Sequence, residues 1–136
     1  MDKHNIEYVS SLKKTQLGML FQEKHKPNSY VESFMLKINT PVSFARIEEA
    51  CEKIERSQAA LRSIIVFENV TKPLEVYLKS NPIPLKITEL EAKSEVAHVF
   101  EQEKQKGIDI SKNAIRGIVC RIKDNIEYVI FISHHI

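Results

Sequence analysis

The sequence predicts an α+β domain with helices packed on one face of a mixed or antiparallel sheet. Three observations carry this. Three stretches space their apolar residues with a helical period. Six short runs are rich in β-branched and aromatic residues or alternate in polarity. Their order, helix, strand, helix, three strands, helix and hairpin, is that of a layered α+β fold rather than a strictly alternating βαβ chain.

The first helix is placed in "SSLKKTQLGMLFQEKH", where Leu12, Gln16, Met19 and Leu20 share a face and Ser10 or Ser11 serves as N-cap. Pro27, Asn28 and Ser29 then mark a turn. "SYVESFMLKIN" alternates, with Tyr30, Phe34, Leu36 and Ile38 on one face, and predicts a strand that is apolar on one side. Residues 44–58 repeat Ile47, Ala50, Cys51, Ile54 and Gln58 at amphipathic spacing behind a capping Ser43. "LRSIIVF" and "LEVYLKS" read as a hairpin pair, and "LKITEL" as a further strand.

Residues 92–106 form the third helix on Val96, Val99, Phe100 and Glu103. "AIRGIVCRI" and "IEYVIFIS" close the chain as a hairpin across "KDN". The last strand is apolar on both faces, with Tyr128, Ile130 and Ile132 on one and Val129 and Phe131 on the other. That pattern predicts a central strand buried on both sides. A central strand this near the end of the sequence implies further protein, or a partner, beyond Ile136.

Composition narrows the function. At 43% hydrophobic and 28% charged, the 136 residues suffice for one globular domain. Twenty basic and 18 acidic residues give a net charge of +2, with no clustered basic footprint for nucleic acid or an anionic membrane. Neither GxGxxG nor a P-loop is present. Cys51 and Cys120 have no CxxC spacing and stand where apolar residues belong, which predicts buried thiols in a reducing compartment. No signal peptide opens the sequence and no apolar run approaches the roughly 18 residues of a membrane span, so a cytoplasmic location is expected.

The histidines of "FISHHI" are the chemical signal. Neighbours in a strand point to opposite faces, so His134 and His135 cannot share a role: one faces inward and the other a cleft. They cannot jointly hold a metal and no third ligand stands at a recognised spacing, so no metal site is expected.

Three segments, in order, then carry a resemblance. "LKKTQLGMLF" resembles a Leu-Ser-x-x-Gln-x-x-Met-Leu motif through Gln16, Gly18, Met19, Leu20 and Phe21, with Lys13 in the Ser position. "IERSQAALRSII" is similar to an Arg-His-x-x-Leu-Arg-Thr stretch through Arg56, Leu61 and Arg62, with Ser57 for His and Ser63 for Thr. "GIDISKNAIRGIVCRIKDNIEYVIFISHHI" resembles a Phe-Asp-Leu-Ser segment running through two strands into HHxxxDG, matched by Asp109, Ser111, Arg116, His134 and His135 up to the first variable position. Together they resemble the N-terminal lobe of a condensation domain of nonribosomal peptide synthetases, within the chloramphenicol-acetyltransferase-like superfamily.

The resemblance implies that residues 1–136 are an incomplete domain whose C-terminal lobe is absent, and that the chain stands at the start of its polypeptide. It implies amide-bond formation between a donor acyl or peptidyl thioester and an acceptor aminoacyl thioester. Both are carried on the phosphopantetheine of carrier proteins, and no cofactor is bound directly. His135 is the implied catalytic residue at the mouth of a tunnel between two lobes. His134 has a packing or hydrogen-bonding role, and Arg62 a structural one near the site. The isolated lobe is expected to be inactive and to associate with itself through the surface the second lobe would cover. Epimerisation domains, coenzyme A-dependent acyltransferases of the superfamily and a non-catalytic interaction half-domain stand as alternatives. Heterocyclisation domains do not, because they carry paired aspartates where His134 and His135 stand.

Overall fold

The structure is a computed structural model that describes residues 2–136. It contains two sheets. The first is antiparallel, ordered β1 (Ile6–Ser11), β4 (Leu74–Leu78), β3 (Ser63–Val66). The second is mixed, ordered β2 (Val31–Lys37), β7 (Asn125–His134), β6 (Ile115–Ile122), β5 (Leu85–Leu90), with β5 parallel to β6 and the other pairs antiparallel. Three helices accompany them: α1 (Lys14–His25), α2 (Phe44–Ser57) and α3 (Val96–Lys106). Among the described residues no helix is long and apolar enough to cross a membrane.

The α+β class and the mixed sheet hold, and β7 is central as its two apolar faces predict. Ile118, Ile130 and Ile132 have no exposed surface, each contributing roughly 1.5–3 kcal/mol by burial. The β6–β7 turn places both Lys123 and Asp124 at positive φ, 49° and 70°, the type I′ geometry that matches strand twist.

One detail of the predicted architecture does not hold: the helices lie on both faces of the four-stranded sheet, not on one. Val99 and Phe100 of α3 cover Ile118, Cys120, Ile130 and Ile132. On the opposite face Phe44 and Ile47 of α2 cover Val119, Ile126 and Val129. A register shift beside Cys120 and Arg121 sets Ile126 opposite Arg121, which brings it to the α2 side.

Two local expectations also change. Ser10 and Ser11 belong to β1, a strand the apolar pattern does not announce, so they do not cap α1. The helix starts at Lys14 instead, and the Gln16 carboxamide oxygen accepts from the Lys13 N–H at 2.8 Å. Ser43 does cap α2, accepting from the Arg46 N–H at 3.2 Å. β2 is an edge strand, and Phe34, Met35 and Leu36 are exposed along it, Phe34 stacking on Phe131 at 5.3 Å.

Glu103 falls on the buried side of α3, as its spacing predicts, and has three cations around it. Lys86 lies 2.8 Å away, Lys106 3.1 Å and Arg116 3.2 Å. Arg116 also donates to the Glu103 and Gly107 carbonyls, at 2.8 and 2.9 Å, tying the end of α3 to β6. Burial pushes the Glu103 carboxyl up. Hydrogen bonds from Lys86 and Lys106 and the charges of Lys86 and Arg116 outweigh it and hold the group below the ordinary value.

A depressed carboxyl stabilises the fold fully above its unfolded value of about 4.3, and that contribution is lost as pH falls through the folded value. Thermal melts between about pH 3 and pH 7 should therefore show a smaller acid-side drop for Glu103→Gln than for the wild type, with the wild type more stable at neutral pH. Equal slopes for the two proteins would remove Glu103 from the acid response.

Candidate functional site

The end of β7 runs beside the start of β2, with Val31 opposite His134 and Glu32 opposite Ser133. The His135 N–H donates to the Tyr30 carbonyl at 2.9 Å, extending the pairing by one residue. Across from it, the Ile65 N–H donates to the Ile110 carbonyl at 2.9 Å and links the first sheet to the loop before β6. Between these elements lies a cleft of about 360 Å³. Ser63, Ile65, Glu75, Ile110, His134 and His135 are among its lining residues.

The strand geometry separates the two histidines. The His134 side chain is 1% exposed and that of His135 57%. His134 turns toward α1, where its Nε2 lies 3.0 Å from a Glu23 carboxylate oxygen. The Ile136 N–H donates to His134 Nδ1 at 3.0 Å. An Nδ1 that accepts carries no proton, so the hydrogen bonds assign His134 as the neutral Nε2–H tautomer donating to Glu23. Glu23 accepts from the Asn28 N–H as well, at 3.1 Å, which fixes the turn that leads into β2. His135, which like His134 borders the cleft, is exposed, and its Nδ1 lies 2.9 Å from a Glu32 carboxylate oxygen.

Arg62 is not brought to the cleft. Its neighbours Leu61 and Ser63 line it, whereas the Arg62 guanidinium is buried behind the strand. Arg62 Nε donates to the Leu78 carbonyl at 2.9 Å, and Nη1 donates to the Glu55 and Arg56 carbonyls at 2.6 and 2.9 Å. Glu7 stands 3.3 Å from Nη2 at the outer end. The two helical carbonyls belong to the last turn of α2, so Arg62 closes that helix and fastens it to β4.

Gln16, marked by the first motif, bridges to the site. Its Nε2 donates to Glu75 at 2.9 Å and to the Ile136 carbonyl at 3.3 Å. Glu75 places a carboxylate on the cleft wall. Sequence reasoning did not single out Glu23, Glu32 or Glu75. Glu32 had a signal, since it interrupts the otherwise apolar face of Tyr30, Phe34, Leu36 and Ile38. Glu23 and Glu75 sit far along the chain from the histidines and had none.

Cys51 and Cys120 are free and buried, and burial pushes both thiols above their ordinary value, which keeps them protonated and poor nucleophiles. Among the described residues no three histidine, cysteine or carboxylate groups gather as a metal site. The cleft therefore offers an accessible imidazole, a carboxylate and apolar walls, a set suited to proton transfer at a neutral substrate.

A family model described as "Condensation domain" matches residues 6–136. The chain is 26% identical over 138 residues to a plipastatin synthase polypeptide of Bacillus subtilis (strain 168), covering 96% of the chain and 5% of that protein. Bacitracin synthase 1 of Bacillus licheniformis is 27% identical over 139 residues, with 96% and 3% covered. Among solved structures, the condensation domain from Monacolin K polyketide synthase superposes with a TM-score of 0.79 at 12% identity, covering 96% of this chain and 30% of that one. The first condensation domain of the calcium-dependent antibiotic synthetase, in complex with a substrate analogue, gives 0.78 at 14% identity, with 97% and 35% covered. At these identities the superpositions establish the fold. The chain spans about a third of the solved domains and a small part of the synthetases.

Proposed function

The chain belongs to the condensation-domain family over residues 6–136, and from that premise we propose that it supplies the histidine-bearing lobe of a peptide-bond-forming acyltransferase. The α-amine of an acceptor aminoacyl thioester attacks the carbonyl of a donor acyl or peptidyl thioester. A C–N bond forms, the C–S bond breaks, and the donor thiol leaves. His135 takes or orients the amine proton, which returns to the departing sulfur. Imidazole suits this step because its ordinary pKa of about 6.5 leaves it neutral and basic at physiological pH. Both substrates arrive on the phosphopantetheine arms of carrier proteins, and the lobe holds no cofactor of its own.

The observation that carries this reading is the unequal exposure of the two histidines that border the cleft: His134 is buried against Glu23, whereas His135 is open to solvent. Residues 1–136 act in this proposal as one lobe, with the second wall of the site supplied from outside them. The solved domains, of which the chain covers 30% and 35%, support that division. The exposed Phe34, Met35 and Leu36 support a covering partner on the β2 edge, and self-association where that partner is missing. Two free, buried thiols fit a reducing cytoplasm.

The test compares this chain with a version extended through a second lobe. Each is mixed with a carrier-bound acyl donor and a carrier-bound aminoacyl acceptor, and amide product is read by mass spectrometry. The 136-residue chain should form no product above background, because an unenclosed base loses the positioning that makes it effective. The extended protein should form it. An extended protein that folds, meets both loaded carriers and makes no amide contradicts the reading.

A further inference from the structure

We propose that Gln16 is a positioning residue that anchors the backbone just after His135 and so sets where that imidazole stands at the cleft. The proposal rests on the reading of His135 as the acyl-transfer residue. Gln16 is the third residue of α1 and is half-buried. Its carboxamide meets three separate parts of the chain. The oxygen accepts from the Lys13 N–H at 2.8 Å, at the start of the helix. The nitrogen donates to Glu75 of β4 at 2.9 Å and to the Ile136 carbonyl at 3.3 Å. A carboxamide has two N–H donors, and both are engaged. The oxygen faces a donor and the nitrogen two acceptors, so the contacts assign which way round the group lies.

His135 depends on such an anchor. Its ring is 57% exposed and meets an equally exposed Glu32 carboxylate, so side-chain contacts restrain it little. Its place is set by the backbone on either side. The His135 N–H donates to the Tyr30 carbonyl, which ties the residue to the chain entering β2. Beyond it, Ile136 is held in three ways. Its N–H donates to His134 Nδ1 at 3.0 Å, and its side chain packs against the cluster of Leu12, Leu20, Ile65 and Ile110. Its carbonyl takes the Gln16 donor. The start of α1 thus grips the residue after the histidine, and the same carboxamide joins it to the Glu75 wall of the cleft. A reacting group misplaced by about 1 Å costs about 10²-fold in rate, so a single anchoring bond has a catalytic consequence.

The test separates anchoring from helix capping. Gln16→Glu keeps an oxygen for the Lys13 N–H and loses both donors. Adding Glu75→Gln lets the two side chains bond again with the donor at position 75, and still leaves the Ile136 carbonyl without its Gln16 donor. Amide hydrogen exchange is read by ¹⁵N NMR in the 136-residue chain. In both variants the His135 and Ile136 N–H groups should exchange about fivefold faster than in the wild type, the weight of one hydrogen bond. The Leu17 N–H, which donates to the Lys13 carbonyl, and the Ile65 N–H should keep their rates. The double variant should also recover the unfolding midpoint that the single one loses to two facing carboxylates. In the chain extended through a second lobe, the double variant should form amide with kcat lower by about 10–10²-fold than Glu75→Gln alone, with KM for both loaded carriers unchanged. A folded double variant whose His135 and Ile136 amides exchange at wild-type rates overturns the proposal, as does one whose kcat equals that of Glu75→Gln. The exchange measurement involves no turnover, so its failure is distinct from a failure of the condensation assay.

Discussion

Arg62→Ala is expected to lower the folding free energy by about 3 kcal/mol. Three carbonyls, those of Glu55, Arg56 and Leu78, take hydrogen bonds from this one guanidinium, and the bonds to Glu55 and Leu78 are buried. Each such bond contributes about 1 kcal/mol net, and buried acceptors left without a donor pay their desolvation in full. Two of the three close the last turn of α2, so the loss should spread to the helix end and to its junction with β4. The Glu7 contact adds little, because that carboxylate is half exposed. Arg62→Lys should cost less, since an ammonium can serve some of these acceptors but lacks the planar fork that reaches all three. Urea unfolding checks this: the midpoint should fall with an unchanged slope. A stability change within about 0.5 kcal/mol, typical of surface positions, would show that Arg62 does not hold the lobe together.

That expectation also marks what the sequence could convey. Residues 61–63 read as one motif, but Leu61 and Arg62 end a 3-10 turn and Ser63 opens β3, and the cleft receives Leu61 and Ser63 while the interior receives Arg62. The direction is set by where β4 pairs, a non-local fact. β1 was illegible for a related reason. In "IEYVSS" neither alternate set is apolar, and the segment is a strand because β4 offers it an edge. β7 was legible because both its faces are apolar whatever covers them. The helices were legible as amphipathic, yet periodicity does not say which side of a sheet a helix crosses to, and α2 and α3 took opposite sides. In the site, the separation of His134 from His135 follows from strand alternation alone. Their glutamate partners depend on register and on where α1 docks, which no local pattern encodes.

The second large effect falls on chemistry rather than stability. His135 is more than half exposed and its ring meets the equally exposed Glu32, so His135→Ala should change stability by no more than about 0.5 kcal/mol. His134→Ala should behave differently. It removes a fully buried ring, leaves the Ile136 N–H without its acceptor and takes one donor from the Glu23 carboxylate, at a cost of about 2–4 kcal/mol. The two adjacent substitutions should thus divide, one silent in unfolding and damaging to acyl transfer, the other damaging to the fold itself.

The most direct measurement of the role proposed for His135 is single-turnover amide formation by the chain extended through a second lobe, wild type against His135→Ala, with both carriers loaded. The expected result is a rate lower by about 10²–10⁴-fold in the variant, the range typical of a positioned acid–base group, with the unfolding midpoint unmoved. A His135→Ala protein that forms amide at the wild-type rate would contradict that role and return His135 to an exposed residue at a strand end.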